Sequence, residues 1–106
     1  MRALYPEKLV TIITTDVLEP WLAKIVRRRG ASGYTVVRAR GAGSSGEQSS
    51  MLDGDTNIKF QVVLPERRLE GLLEDLECMM KKGHHLTVLV SDVSVLHPEK
   101  YDRPLD

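Results

Sequence analysis

The residues best suited to chemistry stand between positions 33 and 46, in the string Gly33-Tyr34-Thr35-Val36-Val37-Arg38-Ala39-Arg40-Gly41-Ala42-Gly43-Ser44-Ser45-Gly46. A β-branched run passes into glycines and serines flanked by two arginines. Glycine and serine leave backbone N–H groups uncovered, and successive N–H groups of that kind cradle phosphate oxygens. Arg38 and Arg40 alternate onto one face of the segment, and a guanidinium forks onto phosphate or bicarbonate oxygens. The chemistry indicated is anion binding. Gly41 and Gly43 also suit an ordinary turn that needs positive φ, so the glycines alone do not decide the matter.

Three other features carry chemistry-bearing side chains. Lys59 projects from the polar side of an alternating run and can balance the same anion, or pair with Glu47 or Asp53. His84 and His85 are adjacent on a turn, where neighbouring histidines point apart, and no third metal ligand accompanies them. Their ordinary reading is a helix end followed by the start of a strand. Cys78, the single cysteine, excludes an internal disulfide and suits a reducing compartment; flanked by methionines on a helix, it is expected near the core edge. No metal site is expected.

The elements that position these residues follow from composition and period. The 106 residues make one domain, residues 1–106, and 42% of them are hydrophobic, enough for a core with little margin. Formal net charge is zero, which does not favour a nucleic-acid surface. No apolar run approaches the roughly 18 residues of a membrane span, and the first residues lack a signal-peptide core. The expectation is a cytoplasmic domain with no membrane insertion of its own.

Residues 8–14 read as a strand. Leu18, Trp21, Leu22, Ile25 and Val26 then follow helical spacing, with Asp16 and Glu19 as a capping box, Pro20 in the first turn and Gly30 as the stop. Residues 33–40 form a second strand, followed by a long aperiodic loop over about 41–56, longer than an ordinary connection. Ile58, Phe60, Val62 and Leu64 alternate with Lys59 and Gln61, a strand with one face on a core. A second helix opens at Pro65-Glu66, carries Leu69, Leu72, Leu73, Leu76, Met79 and Met80, and ends at Gly83. Residues 86–96 form the last strand, with a bulge expected near Ser91-Asp92. The tail, about 98–106, has no pattern and reads as loose or docked on a neighbour. The order is βαββαβ, an α+β ferredoxin-like sandwich with both helices on one sheet face. Apolar residues on both faces of some strands predict a second buried face, and so an oligomer.

Gly33-Tyr34-Thr35-Val36, then Arg38-Ala39-Arg40-Gly41-Ala42-Gly43, resembles the second strand and T-loop start of the PII signalling family. Residues 57–65, Asn-Ile-Lys-Phe-Gln-Val-Val-Leu-Pro, resemble its third strand. The likeness covers residues 8–97 and is nearest the PII-like branch associated with bicarbonate transport and carboxysomes. It implies a homotrimer whose sheets line a central core, with adenine nucleotides, ADP or AMP above all, in the clefts between subunits. Bicarbonate is implied as a co-ligand. The T-loop would signal energy or inorganic-carbon status to a bicarbonate transporter or other carbon-concentrating component, placing the protein peripherally at a membrane transporter. The implied function is regulatory, not enzymatic.

Carried over by position, the nucleotide contacts are Thr35, Arg38, Arg40, Gly41, Ala42, Gly43, Ser44, Gln61, Val63, Leu64, Gly83, His84, His85 and Thr87. The anion would fall to Arg38, Arg40 and Lys59. Better-known PII proteins have a Thr-Gly-rich phosphate loop after the second helix; here the link is only Lys81-Lys82-Gly83-His84-His85. That narrows the ligand toward a mono- or diphosphate. No tyrosine stands between Gly41 and Asn57 to be uridylylated. Two other βαββαβ functions compete. One is a trimeric metal-tolerance protein using His84, His85 and Cys78. The other is an acylphosphatase-like hydrolase, which Thr14-Thr15-Asp16 disfavours because it offers no arginine-bearing loop.

Overall fold

The structure is a computed structural model that describes residues 2–41 and 56–101. Strand β1 (Tyr5–Thr15) leads through a 3₁₀ turn (Asp16–Leu18) into helix α1 (Glu19–Arg28). Strands β2 (Thr35–Ala39) and β3 (Asn57–Leu64) flank the long loop. A second 3₁₀ turn (Glu66–Arg68) starts α2 (Leu69–Lys81), which returns to β4 (Thr87–Val95) and a final 3₁₀ turn (Pro98–Tyr101). The sheet runs β2-β3-β1-β4, with all three neighbouring pairs antiparallel. Each helix therefore crosses between two parallel strands with one antiparallel strand inserted, the double split β-α-β of the ferredoxin-like fold.

Register divides the sheet into two faces. Val10 opposes Val62 and Val90, and Ile12 opposes Phe60 and Val88. Apart from Val90, which is about half exposed on the edge strand, these side chains meet Leu22, Ile25 and Val26 of α1 and Leu72, Leu76 and Met79 of α2 in one core. Phe60, Val10, Ile12, Leu22 and Val26 are completely buried. The opposite face carries Leu9, Ile13, Val37, Val63, Leu89 and Val93 with no helix over it; Val37 and Leu89 are about half exposed. The apolar residues on both strand faces thus have a place, one set under the helices and one on the open face.

Both helices end by the same device. Gly30 has φ +86° and Gly83 φ +101°, conformations that favour glycine. Around Gly30, Ala31 N–H donates to the Val26 carbonyl (2.9 Å) and Gly30 N–H to that of Arg27 (3.0 Å). Around Gly83, His84 N–H donates to the Met79 carbonyl (3.2 Å) and Gly83 N–H to that of Met80 (3.0 Å). These are Schellman closures, which satisfy the last carbonyls of each helix.

Several expectations are corrected. In place of an Asp16–Glu19 box, the Thr15 hydroxyl caps the 3₁₀ turn that leads into α1, accepting from Val17 N–H, and Leu18 at the start of α1 makes no side-chain cap. β1 begins three residues earlier than its apolar pattern, because Tyr5, Pro6 and Glu7 pair with β4 alone. β4 has no bulge: Ser91 opposes Leu9 and Asp92 opposes Lys8 in unbroken register. The polar break in its pattern is an ion pair, with Lys8 Nζ donating to Asp92. That partner raises the Lys8 pKa. Cys78 is exposed on α2 and not at the core edge. Residues 98–101, patternless in sequence, form a 3₁₀ turn.

Candidate nucleotide site

The open sheet face carries a cleft of about 380 Å³ beside β2. Leu9 and Val63, opposite each other in register, give it an apolar floor. Thr35 and Gln61, also opposite each other, contribute a hydroxyl and an amide. The connection from α1 supplies Ser32, Gly33 and Tyr34, and the final 3₁₀ turn brings Lys100 and Tyr101. Tyr34 is fixed by stacking on the core ring of Phe60, with centroids 4.7 Å apart and planes 14° from parallel. An apolar slot with a few fixed polar groups is the usual form of a small-molecule site.

Thr35, Gln61 and Val63, chosen from sequence, thus line one cleft. Leu64 does not join them: its side chain is buried in the core beneath the helices. Arg38 opposes Ile58 and so has the helix-side register, whereas Lys59 opposes Val37 and Ile13 on the open face. Arg38 and Lys59 therefore do not converge within one chain. Arg40 and Gly41 are exposed where β2 gives way to the long loop. Ala42, Gly43 and Ser44 lie outside the described residues, as does most of the T-loop. Its returning end is held where Asp16 N–H donates to the Thr56 carbonyl at 2.7 Å.

Gly83, His84, His85 and Thr87 form a separate group at the far edge. His84 packs edge-on against Trp21 (5.0 Å, 85°), and Lys82 Nζ stands 5.8 Å from the same ring centroid. The His85 carbonyl accepts from the Thr14 hydroxyl at 2.8 Å. Thr87 opposes Ile13, near the end of β1 remote from Leu9. Since β3 and β1 separate β2 from β4, this group stands about 14 Å across the sheet from Thr35, three strand spacings. It also adjoins the C-terminus of α2, the negative end of the helix dipole, where an anion needs Lys81 or Lys82 nearby. Among the described residues no three His, Cys, Asp or Glu side chains gather for a metal ion. No helix among them is long and apolar enough to cross a membrane.

Residues 7–100 match the family model of nitrogen regulatory protein P-II. The chain belongs to the P-II family. Its structure is similar to that of CPII, a nitrogen regulatory PII-like protein from Thiomonas intermedia K12 bound to ADP, AMP and bicarbonate. That likeness has TM-score 0.84 and 30% identity over 95% of this chain and 98% of that one. A PII-like signaling protein from Thermus thermophilus is 37% identical, with TM-score 0.78 over 95% of this chain and 99% of the other. CutA from Synechococcus elongatus PCC7942, at 15% identity and TM-score 0.65, shares the fold alone. The P-II assignment agrees with the four-stranded antiparallel sheet and its two helices.

Sequence reasoning missed Leu9, Ser32, Lys100 and Tyr101 as cleft residues. Leu9 was legible only as one of a strand's apolar residues, and Lys100 and Tyr101 carry no period. The signal that finds Leu9 is its register opposite Val63.

Proposed function

We propose that this P-II protein is a non-enzymatic regulator that binds adenine nucleotides, ADP or AMP in preference, with bicarbonate as a co-ligand. The observation that carries the reading is the cleft formed by Leu9, Thr35, Gln61 and Val63 on the open face of a P-II sheet. The CPII structure, 30% identical, was solved with ADP, AMP and bicarbonate bound. The second group, Gly83 to Thr87, stands at the opposite edge of the sheet, so one chain offers two partial sites. A homotrimer built through the apolar open face supports their union, the β2 edge of one subunit meeting the β4 edge of the next. Arg38, Arg40 and Lys59 then supply cations for phosphate or bicarbonate from more than one direction.

The T-loop starts at Gly41, directly beyond Arg40, and returns at Thr56. A ligand that favours one arrangement of the loop shifts its population, and that shift is the signal. The partner is a bicarbonate transporter or another carbon-concentrating component, met on its cytoplasmic side. Titration calorimetry with ADP, AMP, ATP and cyclic AMP, each with and without bicarbonate, tests the proposal. ADP and AMP are expected to bind more tightly than about 1 mM, and ATP more weakly than ADP. Absence of binding below that limit for every adenylate would refute it.

A further inference from the structure

The open face carries a charge that the cleft does not account for. Glu7 stands on the same side of β1 as Leu9, two residues before it, yet it is buried, with 9% of its surface exposed. Its Oε1 has no hydrogen-bond partner. Val93 opposes it on β4, and the pairing of β1 with β3 ends one residue short of it, at Lys8 and Leu64. A buried carboxylate without a counter-charge is costly, so this oxygen calls for a cation.

Among the described residues the open face has two lysines, Lys59 and Lys100. Lys59 opposes Ile13, six residues along β1 from Glu7 and so about 20 Å away. Lys100 is closer. Val95, the last residue of β4, opposes Tyr5, whereas Lys100 and Tyr101 line the cleft together with Leu9. The chain after β4 therefore doubles back along the open face, past the level of Glu7. Glu7 and Leu9 are about 7 Å apart along the strand, a distance that a lysine's flexible four-carbon stem and a glutamate side chain cover together. Lys100 is exposed, and its Nζ stands 5.9 Å from the Tyr101 ring centroid, at the outer limit of a cation–π contact, so its ammonium is lightly held.

We infer that Glu7 and Lys100 are the two halves of a latch, whose pairing fixes the turn Pro98–Tyr101 as a strap along the open face. The structure has the strap in place and the latch undone. Closure gives the buried carboxylate its cation and holds Lys100 and Tyr101 as a wall of the cleft. The latch does not depend on what the cleft binds; only its effect on ligand release rests on the nucleotide reading.

Hydrogen–deuterium exchange on the full chain without ligand tests the latch. The Lys100 amide, which donates to the His97 carbonyl at 3.2 Å, reports the turn. Glu7→Gln keeps the shape and removes the charge; it should speed exchange across residues 98–101 by about three-fold, and Lys100→Met by the same factor. The two changes together should add nothing, because each already removes the whole pair. If Glu7→Gln does not fold, substitutions on the exposed turn keep the test decisive: Lys100→Arg should retain the protection that Lys100→Met loses. Exchange unchanged in Glu7→Gln or in Lys100→Met, or effects that add in the double variant, overturns the latch. Protection that rises with protein concentration overturns it too, by giving Glu7 its partner in a second copy. With ADP bound, Glu7→Gln should release the nucleotide about three-fold faster; an unchanged rate overturns the strap's part in the site. A chain that shows the exchange changes but binds no adenylate refutes the nucleotide reading alone.

Discussion

Asp75 joins the two helices, and its replacement by asparagine has a calculable cost. Its carboxylate accepts from Arg29 Nε at 2.7 Å and Nη2 at 3.0 Å, and Arg28 Nη2 stands 3.2 Å away. Charge-assisted hydrogen bonds are worth about 1.5–3 kcal/mol each when sheltered. The Asp75 side chain is 14% exposed but that of Arg29 is 36% exposed, so solvent screening reduces the sum to about 1–2 kcal/mol. In a domain of this size that lowers Tm by about 4–8 °C per kcal/mol. The cost is also pH-dependent. The hydrogen bonds from Arg29 hold the Asp75 carboxyl below its ordinary value, against the opposing effect of partial burial. Its folded pKa is thus lower than its unfolded one, about 3.9. The stabilisation is complete above that value and is lost as pH falls through the folded pKa. Thermal melts of wild type and Asp75→Asn should differ by a constant amount from about pH 5 to 8 and converge below about pH 4. Both proteins must be at equal concentration, because an oligomer melts in a concentration-dependent way. A gap that stays constant down to about pH 2, or is absent at about pH 7, would refute the assignment.

Gly30→Ala and Gly83→Ala both place a Cβ at positive φ, yet only the first meets an obstacle, because the Arg68 guanidinium occupies the space the new atom needs. Urea melts should show Gly83→Ala losing about 1 kcal/mol and Gly30→Ala more, since Arg68 must also leave the Gly30 carbonyl it donates to; equal losses would contradict this. Leu89→Asp puts a charge on the open face at the edge strand β4 and should convert the proposed trimer to monomer in sedimentation, with the far-ultraviolet spectrum retained. A trimer that persists would remove the open face as the assembly surface.

The legible parts of this fold are those where a single element determines its own pattern. β3 reads cleanly because Ile58, Phe60, Val62 and Leu64 face one core and their neighbours face the open side. The start of β1 was not legible, since Tyr5 to Glu7 are held only by pairing with β4. Asp92 looked like a break because an ion pair with Lys8 and a bulge leave the same polar mark on a strand. At the site, Thr35, Gln61 and Val63 follow from the P-II resemblance, and the cleft brings them together. Leu64, next in sequence to Val63, fails for the simple reason that strand parity turns it into the core. The hydrogen bond from Gln61 to Thr11 was not legible without the register, which sets the two residues opposite each other across fifty positions of sequence.

The placement of the partial sites bears on how such a protein would sense. A cleft complete within one chain would bind its ligand whether or not the chain were assembled. Here Thr35, Gln61 and Val63 lie on β2 and β3 and His84 to Thr87 beside β4 across the sheet, so a ligand that touched both groups in the proposed assembly would bridge two subunits. Under that proposal ligand binding and assembly would be linked, each favouring the other by mass action. The loop between Gly41 and Thr56 springs from β2 and returns to β3, the strands that carry Thr35 and Gln61. Its two ends are anchored unequally: Thr56 is bonded to Asp16, while Arg40 and Gly41 are exposed beyond the last β2 pairing. An anion drawn to Arg40 would therefore act on the less restrained end of the loop.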